Sequence, residues 1–181
     1  MRRKNTTSEM MKGYISESLL ILMQSIPYSD ISICQIAEKA GVNRSTYYRH
    51  FTSKESIIKY YYQNLLSEFR QYYLELKTTV KLEHYLECMF SFFLNHKKYL
   101  LLLHQHKLSY LLLDSLNVTF TENIRNKESE NLFSIYYHVG GIFNNFNLWF
   151  DFKMEQTPEK MAKISMKSLP DNFYPMLIEK Q

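Results

Sequence analysis

Chain-breaking residues are scarce in this sequence, with four glycines and four prolines among 181 residues. So few breakers disfavour a turn-rich β fold and favour helices. Cysteine is scarcer still, at two. Cys34 and Cys88 lie far apart and without metal-ligand spacing. That excludes a disulfide framework, and both read as small buried apolar residues of a reducing compartment. Long apolar runs are absent: Tyr99–Leu103 is too short to cross a bilayer. The basic start Met1–Lys4 runs into polar residues rather than the apolar stretch of a signal peptide. A soluble, cytoplasmic protein without a membrane partner is expected. Also missing are a glycine-rich phosphate loop, a GxSxG elbow and carboxylates paired at catalytic spacing. His104 and His106, two apart, do not share a helical face, so no metal site is expected. Neither an enzyme nor a bound cofactor is expected.

What is present is apolar content and a lopsided charge. Hydrophobic residues make up 45% of the chain, enough for a core. The length suits a small unit with a companion domain, or one larger domain. The net charge of +4 is concentrated: residues 1–62 hold nine basic and five acidic side chains, while the remainder holds thirteen of each. A basic first third is what a polyanion binder needs, although a basic tail without a partner has the same composition.

Apolar residues recur at helical spacing along most of the chain. Met11, Ile15, Leu19, Leu22 and Ile26 give a first helix that Pro27 ends. A second runs from about Ile33 to Ala40 and a third from about Arg44 to His50. A fourth starts near Ser53 and continues through Ile57, Tyr61, Leu65, Phe69 and Tyr72 without a linker. Further helices are expected at about 80–95, 97–104, 106–119, 128–153 and 158–169. Thr157 is placed to cap the last of these, with Pro158 at its start and Pro170 at its end. Residues 121–128 read as a polar loop, and the tail to Gln181 is weakly patterned. The expected fold is all-α, with about nine helices.

The informative stretch is Ser32–Glu55, SICQIAEKAGVNRSTYYRHFTSKE. Ser32 and Gln35 fit a capping box. Ile36, Ala37 and Ala40 form the inner face of the second helix, and Ala37 is small enough for the third to cross closely. Gly41 stands where the chain leaves the second helix, in a position cheapest for glycine. Val42 plugs the turn, Asn43 can cap the third helix, and Tyr47 and Phe51 point inward. This spacing is that of a helix-turn-helix. Arg44, Ser45, Thr46, Tyr48 and Arg49 are left on the outer faces. Arg44 can donate twice to a guanine edge and Thr46 can offer a hydroxyl or a methyl to bases. Tyr48 and His50 suit phosphate. His50 can equally be a packing residue between the third and first helices, and Arg49 a solvated charge. Thr52 and Glu55 fit a second capping box. Lys54 opposes the macrodipole of the helix it opens, a conflict that a bound phosphate would resolve.

On these residues, AEKAGVNRSTYYRHFTSKES with the apolar helix before it resembles the DNA-binding domain of the tetracycline-repressor (TetR) family, over about residues 8–60. The resemblance implies a three-helix domain over 1–55 and a helical dimerisation and effector-binding body over 56–181. It also implies a homodimer, a double-stranded DNA operator and control by a small-molecule effector. Phosphate contacts carry over to Tyr48, His50 and Lys54, and base contacts to Arg44, Ser45, Thr46 and Arg49. The family often places a hydroxyl at the start of the second helix to hold phosphate. Here Ile33 and Cys34 offer none, which leaves Ser32. A co-regulator that keeps this fold but acts through protein–protein contact is the alternative, although it would be expected to lose the donors at Arg44, Tyr48 and Lys54.

In the second half, Gly140–Gly141, Trp149 and TPEKMAKI are similar to a subclass of the family that includes regulators of dihydroxyacetone-kinase operons. The segment 132–152 carries more apolar surface than one buried stripe can use. It is therefore expected to pack inward and also against a second copy. Ile142, Phe146, Trp149 and Phe150, with Met161 and Ile164 on the last helix, are the expected dimer contacts. Gly140 and Gly141 would be explained by close helix–helix approach.

Overall fold

The computed structural model describes residues 2–76, 81–122 and 129–169. Among them are nine α-helices, a short 3-10 turn and no strand. The chain divides into two compact units, Met1–Tyr62 and Gln63–Gln181.

The first unit is built from α1 (Arg2–Leu22), a 3-10 turn at Tyr28–Asp30, α2 (Ile33–Lys39), α3 (Arg44–His50) and the start of α4 (Lys54–Glu75). Helices α1, α2 and α3 pack on one another. Ile15 and Leu19 from α1, Ile36 and Ala37 from α2, Tyr47 from α3 and Ile57, Ile58 and Tyr62 from α4 are buried. α1 stops at Leu22, before Pro27, because the chain already turns at residues 23–25, and Leu20 and Met23 go inward while Leu22 and Ile26 stay half-buried. On α4 the buried line is Ile58, Tyr62, Leu65, Leu66 and Phe69; Tyr72 is exposed.

The second unit comprises the rest of α4, α5 (Leu82–Asn95), α6 (Lys97–Gln105), α7 (Tyr110–Glu122), α8 (Ser129–Asp151) and α9 (Pro158–Met166). α5 packs along α9, and α7 along α8. The core is aromatic. The Phe146 ring lies 4.5 Å from that of Phe93 and 5.0 Å from that of Phe90, and Phe90 meets Trp149 edge-on at 5.3 Å. Such tilted and edge-on pairs add to the burial of each ring. The Trp149 indole N–H donates to the Gln156 carbonyl at 3.0 Å, so its one polar atom is satisfied. Cys88 is buried here as expected, but Cys34 is exposed, because the start of α2 turns that position to solvent.

Helix ends explain the other departures. After Gln105 the chain reverses through Lys107 at φ 59°, with the Leu108 N–H returning to the Leu103 carbonyl at 2.9 Å. α7 therefore starts at Tyr110 rather than 106, and extends through Thr121 and Glu122, which were expected in a loop. Residues 123–128, the rest of that loop, and the tail from Pro170 lie outside the described residues. α9 follows its expected start: the Thr157 hydroxyl accepts the Lys160 N–H at 3.4 Å with Pro158 in the first turn.

Candidate nucleic-acid interface

The capping box that opens α2 is formed. The Gln35 N–H donates to the Ser32 hydroxyl at 3.2 Å, and the Ser32 N–H and hydroxyl both donate to Gln35 Oε1 at 2.8 Å. The Ser32 hydroxyl thus serves the cap in this conformation. At the other end Gly41 takes φ +66°, and the Val42 N–H reaches the Ala37 carbonyl at 2.9 Å. That closure sends the chain straight into α3. Asn43 flanks α3 but its side chain makes no capping bond; its backbone carbonyl instead accepts from Thr46 and Tyr47.

One residue of α3 is buried. Tyr47 is fully enclosed, and burial pushes its phenol up to about 12. Arg44, Ser45, Tyr48 and Arg49 are exposed, and Thr46 and His50 half-buried. A helix held by a single inward ring leaves its other faces free to meet a partner.

Arg44 and Tyr48, four apart, share one face. The Arg44 guanidinium donates to the Tyr48 hydroxyl at 3.2 Å and lies 5.5 Å from its ring centre. The hydroxyl bond holds the guanidinium even more firmly charged than usual. The Tyr48 ring in turn meets buried Tyr47 edge-on at 5.2 Å. His50 lies near Glu9, whose carboxyl is held below its ordinary range, chiefly by hydrogen bonding to Lys12 at 2.9 Å, with the Tyr60 hydroxyl at 3.1 Å assisting.

Lys54 has partners within the first unit. Its ammonium donates to the carbonyls of Tyr28 at 2.6 Å, Ile31 at 2.8 Å and Ser29 at 3.4 Å, and sits 4.5 Å from the Tyr28 ring centre. Carbonyl oxygens rather than a phosphate answer its conflict with the macrodipole, and a phosphate contact would require the side chain to leave them. The reciprocal pair at the start of α4 is also shifted by one residue. Ser53 and Ser56 exchange backbone N–H to hydroxyl bonds, each 3.2 Å, in place of Thr52 and Glu55. Glu55 instead takes its own backbone N–H, which keeps its carboxyl below the usual range, with Tyr28 contributing.

Five of the six expected dimer contacts are buried within the single chain. Ile142, Phe146, Trp149, Phe150 and Met161 lie inside their own unit, with Ile164 alone of the six exposed. The outward stripe of α8 and the turn after it is Phe133, Tyr137, Gly141, Asn144, Leu148 and Phe152. Its spacing of three and four along 133–152 was the available signal. A Cβ built on Gly140 or Gly141 meets nothing within 4 Å, so no close approach among the described residues accounts for these glycines. They border an open cleft of about 500 Å³ that Tyr136, Asn144 and Ser165 also line. A smaller recess of about 190 Å³ follows, walled by Leu148, Phe152 and Ile164.

Among the described residues no cluster of three metal-ligating side chains occurs, and no helix is long and apolar enough to cross a membrane. Residues 19–61 match the model of the family described as bacterial regulatory proteins, tetR family. No curated protein matches the chain. Among solved structures it is similar to a TetR transcriptional regulator from Streptococcus agalactiae, at a TM-score of 0.60 and 19% identity, over 92% of this chain and 97% of that one. It is also similar to the dihydroxyacetone kinase operon activator DhaS, at a TM-score of 0.52 and 16% identity, over 87% and 93%. A third is Thermus thermophilus FadR, a TetR-family transcriptional repressor in complex with lauroyl-CoA, at 0.55 and 14%, over 94% and 96%.

Proposed function

From a chain that carries the TetR-family helix-turn-helix at residues 19–61 and the fold of TetR-type regulators along its length, we propose a sequence-specific, DNA-binding transcriptional regulator. The observation that carries this reading is α3 itself: Tyr47 is buried behind it, while Arg44, Ser45, Tyr48 and Arg49 stand exposed on its other faces. A recognition helix reads the major groove with such donors, Arg44 suiting guanine and Thr46 a hydroxyl or methyl contact. Tyr48 and His50 suit phosphate; Ser32 and Lys54 would join them only by leaving their present partners.

The regulator acts as a homodimer, a repressor released by a small-molecule effector. Support for the dimer is the apolar stripe on α8 with Ile164 beside it, and two mid-helix glycines that no close contact among the described residues explains. Each glycine costs about 1 kcal/mol of helix propensity, and a second copy crossing closely there would offset it. Two recognition helices would then meet successive major grooves about 34 Å apart. Support for an effector is limited to a similar structure that holds lauroyl-CoA. DhaS is described as an activator, so the direction of control is tested with the rest.

Selection from random duplex DNA is the direct test. A near-palindromic sequence is expected to emerge, with log affinity falling against log salt at about −0.9 per phosphate neutralised. Transcription from that sequence with and without the protein then gives the sign of control. Recovery of no sequence, with no binding to duplex DNA at low salt, would leave the protein–protein co-regulator standing.

A further inference from the structure

Arg44 and Tyr48 are paired within α3 itself. The guanidinium has five N–H donors in a rigid fork. One is taken by the Tyr48 hydroxyl at 3.2 Å, which leaves four, more than a bidentate contact to a guanine edge needs. The Tyr48 ring packs edge-on against that of Tyr47, and Tyr47 is fully buried and lies 6.3 Å from the Phe51 ring, also in the core. A continuous line therefore runs from the core of the first unit, through two tyrosine rings, to the tip of an otherwise solvent-borne arginine. An exposed arginine without such a line has several rotatable bonds to order on binding, which weakens the contact.

We propose that Tyr48 is a positioning residue: its hydroxyl, braced by Tyr47, holds the Arg44 guanidinium in the geometry that sets base preference. This rests on the DNA-binding reading and adds to it, since a tyrosine that served only as a phosphate donor would raise affinity equally for every sequence. The Tyr48 oxygen accepts from Arg44, so its own proton stays available to a phosphate, and the two roles are separable by measurement.

The test uses the full chain, the sequence selected by the unaltered protein, and single-base variants of that sequence at the position that Arg44→Ala ceases to discriminate. A bidentate arginine contact discriminates by roughly 5- to 150-fold. Tyr48→Phe keeps the ring and its brace and removes only the hydroxyl. It is expected to reduce discrimination at that one base position by about three- to tenfold. In an Arg44→Ala background the same change is expected to do nothing further to discrimination, because the group it positions is gone. Circular dichroism confirms that each variant is folded. Unchanged base discrimination in Tyr48→Phe overturns the proposal, and an equal loss of affinity for every sequence in that same variant would identify the hydroxyl as a phosphate anchor instead. Discrimination that survives Arg44→Ala overturns it while leaving the DNA-binding reading intact, whereas failure of the unaltered protein to select any duplex removes both.

Discussion

The unit of Met1–Tyr62 and the unit of Gln63–Gln181 use aromatic residues in opposite ways. In the first, a seven-residue helix is held by one inward ring, Tyr47, and most of its other side chains are polar and outward. In the second, Phe90, Phe93, Phe146, Trp149 and Phe150 share a single core, and apolar rings still remain outside at Phe133 and Tyr137 on α8 and at Phe152 just after it. A helix that needs one anchor has surface to spare for recognition. A helix that is apolar nearly all round has two faces to bury, and its own unit covers one of them. The first arrangement suits contact with a charged, hydrated polymer, and the second suits contact with more protein.

The contrast can be broken at three points of decreasing effect. Phe146→Ala removes the ring at the centre of the aromatic core and is expected to cost about 3–5 kcal/mol in urea unfolding. A loss under about 1 kcal/mol would mean that the second unit does not depend on that cluster. Gly41→Ala is a test of backbone alone. The added Cβ meets nothing within 4 Å, so the expected loss of about 1–2 kcal/mol reflects the left-handed φ of +66° and not crowding. Equal stability of the variant would show that the turn before α3 can relax. The smallest effect concerns pH. Burial lowers the His96 pKa below 6.5, against an opposing pull from Glu68. Unfolding then takes up a proton in the window between the lowered value and 6.5, so stability falls as pH drops through that window and is regained above it. His96→Gln is expected to flatten the change in urea midpoint between roughly pH 7 and 5, and an unaltered slope would assign the effect to other groups.

Much of the first unit was legible because its signals are local. The box of Ser32 and Gln35, the glycine at 41 and the inward pair Tyr47 and Phe51 all act within a few residues of themselves. Lys54 was not legible: the carbonyls of Tyr28 and Ile31 that hold it are 26 and 23 residues away. Nor does the sequence say which side of α8 turns inward. Ile135, Val139, Ile142 and Phe146 make one helical stripe, and Phe133, Tyr137, Leu148 and Phe152 belong to another. Both are apolar, so only packing decides between them, and the residues expected to meet a partner went to the interior. The late start of α7 escaped for a related reason, since a lysine at φ 59° carries none of the signal that a glycine would.

The three carbonyl oxygens around Lys54 converge on one ammonium much as oxygen donors converge on a metal cation. A tetrahedral N–H₃⁺ group can aim three protons at such a crown, whereas an arginine presents its donors in a flat, wider fork. Charge at this position is therefore not interchangeable: the short loop after α1 is fastened to the first turn of α4 by the shape of a lysine head group, and an acetyl group placed on that nitrogen would unfasten it without removing an atom of the loop.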